Sequence, residues 1–90
     1  MKKLSERYFP DALAEIAQLM EHGATCHPHD LEWLDHPAEF HIDRADNHVG
    51  EYCAGAVADP HSGQTPLAHA ATRLLMALEI EVKRKRKDTD

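Results

Sequence analysis

The stretch TPLAHAATRLLMALEIEVK, residues 65 to 83, most constrains what this chain can fold into. Thr65 carries an N-cap side chain, and Pro66 suits a first helical position. The spacing predicts a helix from there to about Lys83. Leu67, Ala70, Ala71, Leu74, Leu75, Leu78 and Val82 form a broad apolar face, with Met76 and Ile80 off it. A helix apolar on more than one side is usually buried on more than one side. A 90-residue chain makes one domain with a modest core. Two further helices cannot cover both sides within one such chain. The expected fold is therefore all-α, a small three-helix protomer assembling into a helical-bundle homo-oligomer. Residues 1–82 form the domain, and 83–90 a basic, solvated, flexible tail.

The other helices follow from the same rules. Tyr8 to His22 carries Phe9, Leu13, Ile16, Ala17 and Met20 on one stripe, with Pro10 in the first turn and Gly23 as the stop. Residues 24 to 36 show neither period and read as a loop, with a short turn near Leu31 to Leu34 and with Trp33 and Leu34 pinned to the core. Pro37 opens a helix reaching about Ala54, capped by Asp35 or His36. Its apolar stripe is Ala38, Ile42, Ala45, Val49, Tyr52 and Cys53; a second stripe holds His41, Arg44, His48 and Glu51. Gly50 and Gly55 weaken this helix and suit close approach of another backbone.

Charge narrows the class of partner. The net charge of -6 hides an asymmetry: Lys83 to Lys87 holds five of the ten basic residues, so residues 1–82 set five basic residues against fourteen acidic ones. An acidic body argues against a nucleic-acid groove, which needs a positive field. No apolar run reaches membrane length, and the N-terminus lacks a signal-length apolar segment. The expected location is the cytoplasm, where Cys26 and Cys53 are reduced thiols.

Eight histidines are the compositional oddity. Four constellations carry chemistry, each beside a structural alternative. In the turn DPHSGQT, Ser62, Gly63 and Thr65 are small donors at a helix N-terminus and His61 lends positive charge, which together suit a phosphate. The alternative is plain turn and cap chemistry. His69 and Arg73, at i and i+4, offer an imidazole and a guanidinium fork for one anion. They equally suit a buried polar pair, or an arginine bonded to Glu51 or Asp59. The stripe His41, Arg44, His48 and Glu51 lines a pocket if it faces His69 and Arg73, and is otherwise a solvated face. Cys26, His27, His29 and His36 are zinc-ligand types at a spacing that matches no zinc knuckle.

These residues resemble a family of small phage-encoded helical proteins, the N-terminal domain of dATP/dGTP diphosphohydrolases, similar to the all-helical MazG-type nucleotide pyrophosphatases. The resemblance covers roughly residues 9 to 82. It rests on Gly23 and Ala24 at the end of the first helix and on His48 eleven residues before Asp59. It is most specific in DPHSGQTPLAHAA, which matches at Asp59, Pro60, Ser62, Gly63, Leu67, Ala68, His69 and Ala70. It implies that the turn and His69 are site elements and that His48 is their partner across a helix pair. Family members carry an acidic pair before the turn and a glutamate within it; here Val57, Ala58 and His61 stand there, and Asn47 replaces an arginine. Magnesium needs hard oxygen ligands, and only Glu15, Glu51 and Asp59 remain as candidates.

The expected function is thus non-catalytic sequestration of a nucleotide-derived small molecule by Arg44, His48, Asp59, His61, Ser62, His69 and Arg73, with no cofactor. A phage protein of this kind would act in the host cytoplasm as an anti-defence sponge for a host immune signal. The alternative is a magnesium-dependent nucleoside triphosphate diphosphohydrolase of the dATP/dGTP type, using Glu15, Glu51 and Asp59 as metal ligands. A third reading is a helical protein-interaction module. Expected partners are the small molecule and further copies of the chain, with no membrane and no nucleic acid.

Overall fold

A computed structural model describes residues 2–26, 30–58 and 63–89, with side chains at all of these except 25, 26, 30, 31, 88 and 89. The order is α1 (Leu4–Tyr8), α2 (Pro10–Cys26), a 3-10 segment (Asp30–Asp35), α3 (Ala38–Cys53) and α4 (Pro66–Thr89). No strand occurs among the described residues. The all-α expectation holds, with one short helix more than expected. No helix among the described residues is long and apolar enough to cross a membrane.

Local chemistry explains the boundaries. Phe9 precedes Pro10, and the proline ring pushes it off helical geometry to φ -128, ψ 42, so a short α1 precedes α2 where a start at Tyr8 was expected. α2 does not stop at Gly23 but runs on to Cys26. A glycine stop needs a left-handed φ, which Gly55 (φ 95) adopts and Gly23 does not. At Gly55 the end of α3 closes as a Schellman motif: Ala56 N–H donates to Glu51 O and Gly55 N–H to Tyr52 O, both at 3.0 Å. Gly50 has open space around it, not the close backbone approach expected there. Pro37 is itself the N-cap of α3, without a side-chain cap, so neither Asp35 nor His36 caps this helix.

α4 begins as expected. Thr65 Oγ1 accepts from the Ala68 N–H at 3.2 Å, and Pro66 occupies the first position. The helix continues past Lys83 to Thr89. Glu79–Lys83 and Glu81–Lys85 pair at i,i+4 at 3.8 and 3.6 Å, and the basic run meets the negative end of the helix dipole.

α3 packs along α4, and α2 packs more lightly on it. His48 lies against His69 and His41 against Arg73, so α3 and α4 run antiparallel. Among the described residues Leu19, Ala45, Pro66, Ala70 and Ala77 are buried, with polar Thr72 and His41. Three alanines let the helices approach closely. Thr72 satisfies itself by donating to Ala68 O at 2.9 Å. Gln64, just before α4, donates to Glu15 O, Glu15 Oε2 and Gln18 Oε1 at 3.0–3.1 Å and so ties the start of α4 to α2.

The faces are not those that periodicity favours. On α3 the buried residues are His41 and Ala45, from the edge where the two stripes meet, while Ile42, Val49 and Tyr52 are exposed. On α4, Met76 and Ile80 are half-buried within the chain, and Leu67, Leu74, Leu75 and Leu78 are exposed. On α2, Leu19 is the buried residue, not Leu13 or Met20. An apolar stripe predicts that something covers it, not that its own chain does.

Candidate functional site

The α3–α4 seam is built from imidazoles and guanidinia. His41 is fully buried and is the largest such side chain. Its Nε2 lies 2.8 Å from the Trp33 carbonyl oxygen, which only accepts, so Nε2 carries the proton. Arg73 Nη1 donates to its Nδ1 at 3.1 Å. Bonded this way the ring is neutral, with both nitrogens satisfied. The rings of Trp33, His36 and Phe40 meet it edge-on at 6.2, 6.0 and 5.3 Å. His41 therefore acts as a post that aims Arg73.

Arg73 is half-buried. Burial, and secondly the charge of Arg44, hold its guanidinium below its ordinary pKa. Arginine remains protonated near neutrality nonetheless. Arg44 is three residues beyond His41 on α3, exposed, with its guanidinium 5.2 Å from the Phe40 ring centre. His36 also stacks on the Phe40 ring, with 4.0 Å between the ring centres. Among the described residues neither arginine has a carboxylate partner within ion-pair distance. Two neighbouring cations with no counter-charge among the described residues form a local positive spot on an acidic chain, and an anion bound there would relieve both the repulsion and the desolvation.

Further along the seam, His48 and His69 stack at 4.8 Å with 24° between their planes. His48 Nδ1 lies 2.8 Å from Glu51 Oε1. The stripe His41, Arg44, His48 and Glu51 is thus turned toward His69 and Arg73, rather than being a solvated face throughout. Among the sequence-predicted residues, Arg44, His48, His69 and Arg73 lie along this seam. Asp59, His61 and Ser62 lie outside the described residues, as do His27 and His29 of the zinc constellation. His41 was placed in the stripe but not among the ligand-binding residues; its signal was its position between the aromatic residues Trp33 and Phe40 and the basic Arg44.

Two of the three carboxylates proposed for magnesium have other partners, and the third, Asp59, lies outside the described residues. Glu15 accepts from Gln64, and Glu51 faces His48. Among the described residues no three His, Cys, Asp or Glu side chains gather as a metal site.

Searches of curated proteins and of solved structures return no match. The family model described as dATP/dGTP diphosphohydrolase, N-terminal, matches residues 1–90, and the chain belongs to that family.

Proposed function

We propose that this chain binds a nucleotide-derived anion without cleaving it, with Arg73 and Arg44 as the phosphate-recognising pair. The observation that carries this reading is Arg73: half-buried, aimed by a neutral His41, beside a second arginine and, among the described residues, without a carboxylate partner. Among the described residues a single hydrogen bond is drawn from its five N–H donors, which leaves the fork for a phosphate or carboxylate oxygen. The stacked pair His48 and His69 adds imidazole donors along the same seam, and Asp59, His61 and Ser62, which precede α4 in the sequence, complete the proposed ligand set. In this reading the protein works as a homo-oligomer that sequesters its ligand, as a phage-encoded sponge for a host immune signal would, in the host cytoplasm and with no cofactor.

The family favours a second reading, a magnesium-dependent diphosphohydrolase acting on dATP or dGTP. In that case Glu15 and Glu51 must leave Gln64 and His48 to hold the metal together with Asp59. One experiment separates the two. The protein is titrated calorimetrically with dATP and dGTP, with magnesium or with EDTA, then heat-denatured, and the released nucleotide is chromatographed. The binder returns intact nucleotide, with affinity unchanged by EDTA. Release of pyrophosphate in magnesium establishes the hydrolase. Neither binding nor release sinks both for these nucleotides and leaves the protein-interaction module.

A further inference from the structure

We infer that the outward face of the His36 ring is a stacking subsite for the ligand's nucleobase, occupied while Arg73 and Arg44 hold the anionic end. The inference rests on the anion-binding reading above and adds the residue that distinguishes a nucleotide from a bare anion.

His36 belongs to a cluster of rings, Trp33, His36, Phe40 and His41, drawn from one short stretch of chain. It stands at the junction of the 3-10 segment and α3. Its backbone N–H donates to Trp33 O at 3.4 Å, and the proline that follows restricts its conformation. One face of its ring lies on Phe40, with 4.0 Å between centres and 14° between planes. The ring also meets His41 at 6.0 Å and 88°. Yet the residue is exposed, and among the described residues neither ring nitrogen has a hydrogen-bond or ion-pair partner. The imidazole is thus oriented by its neighbours rather than by polar bonds, and its second face looks outward. Because Phe40 and His41 already restrain it, a ligand that stacks there has little side-chain freedom left to remove.

The subsite adjoins the arginines through two rings of the same cluster. His41 accepts from Arg73 at 3.1 Å, and the Arg44 guanidinium lies 5.2 Å from the centre of Phe40. His41 is 5.3 Å from Phe40 and 6.0 Å from His36, which are themselves 4.0 Å apart. These three distances put His41 beside the stack and not on its axis. A further ring added to His36 at similar spacing would lie about 9 Å from the His41 ring. A sugar and its first phosphates span such a gap. Histidine is among the side chains on which unpaired bases stack. Stacking accepts every base, since each has a π-face. The subsite therefore favours a ligand with a base over a phosphate chain without one, and the larger surface of a purine over a pyrimidine.

The test titrates the full chain calorimetrically with dATP, dCTP and inorganic tripolyphosphate, all in EDTA. The wild type should bind dATP about tenfold or more tighter than tripolyphosphate, with dCTP between them. His36→Ala should bring dATP down to the tripolyphosphate level without weakening tripolyphosphate itself. His36→Trp offers a larger face and should keep or exceed the wild-type preference. Helicity by circular dichroism checks that both variants fold. Equal wild-type affinity for dATP and tripolyphosphate, or an unchanged preference in His36→Ala, overturns the subsite and leaves the anion reading standing. A parallel loss of both ligands in folded His36→Ala also overturns it, because the ring then only supports the arginines. Binding of none of the three by the wild type overturns the anion reading and the subsite together.

Discussion

Replacing His41 by alanine should do more damage than any other single truncation within the described seam. The ring is fully buried and holds two hydrogen bonds, at 2.8 Å to the Trp33 carbonyl and 3.1 Å from Arg73. The neutral bond contributes about 1 kcal/mol and the bond from the charged guanidinium about 1.5–3 kcal/mol. Deleting the ring also leaves a cavity and an unpaired carbonyl, so the total loss should reach about 4 kcal/mol. That is a large part of the roughly 5–15 kcal/mol that stabilises a small domain. At urea m-values of about 1–2 kcal/mol/M, the midpoint followed by circular dichroism falls by about 2–4 M, at matched protein concentration. His41→Gln keeps one donor and one acceptor and should recover part of the loss. A midpoint shift for His41→Ala below about 0.5 M would refute the claim that this imidazole organises the seam.

Arg73→Ala should weaken binding of the nucleotide anion by about ten- to a hundredfold, because it removes a charge-assisted bond, with helicity measured by circular dichroism unchanged. Arg73→Lys should recover little of this, since a point charge does not replace the fork; full recovery would show that charge alone matters. Thr65→Ala removes the cap of α4 and should cost about 1 kcal/mol in urea unfolding. Cys53 is a free, exposed thiol, and alkylation followed by mass spectrometry of freshly isolated protein should modify both it and Cys26. A linked, unmodified pair would contradict the reduced state.

What the sequence revealed depended on how local the cause was. Thr65, Pro66 and Gly55 mark the start of α4 and the end of α3, because caps and left-handed turns act within a few residues. The end of α2 was misread because Gly23 is only permitted, not required, to turn left-handed. The packing faces were the larger miss. Periodicity identified the apolar residues of α3 and α4 but could not tell the side taken by the chain itself from the side left bare. His41 was hidden for a related reason: a histidine reads as surface until its two nitrogens have partners, and those come from Trp33 and Arg73, eight and thirty-two residues away. Arg44, His48, His69 and Arg73 were legible because spacings of three and four put each pair on one helix face.

The two anchors that bracket residues 56 to 63 bear on how this protein can diversify. Upstream, the Schellman motif at Gly55 completes α3 with its own backbone. Downstream, Gln64 fastens the approach to α4 onto α2 through Glu15 and Gln18. Both anchors are made by residues on either side of 59–62, the one by the backbone of α3 and the other by the Gln64 side chain. With its two ends fixed in this way, doubling the length of the connection should cost only about 0.6 kcal/mol of closure entropy. Variants that differ only there would be a direct route to new ligand preferences on an unchanged pair of arginines.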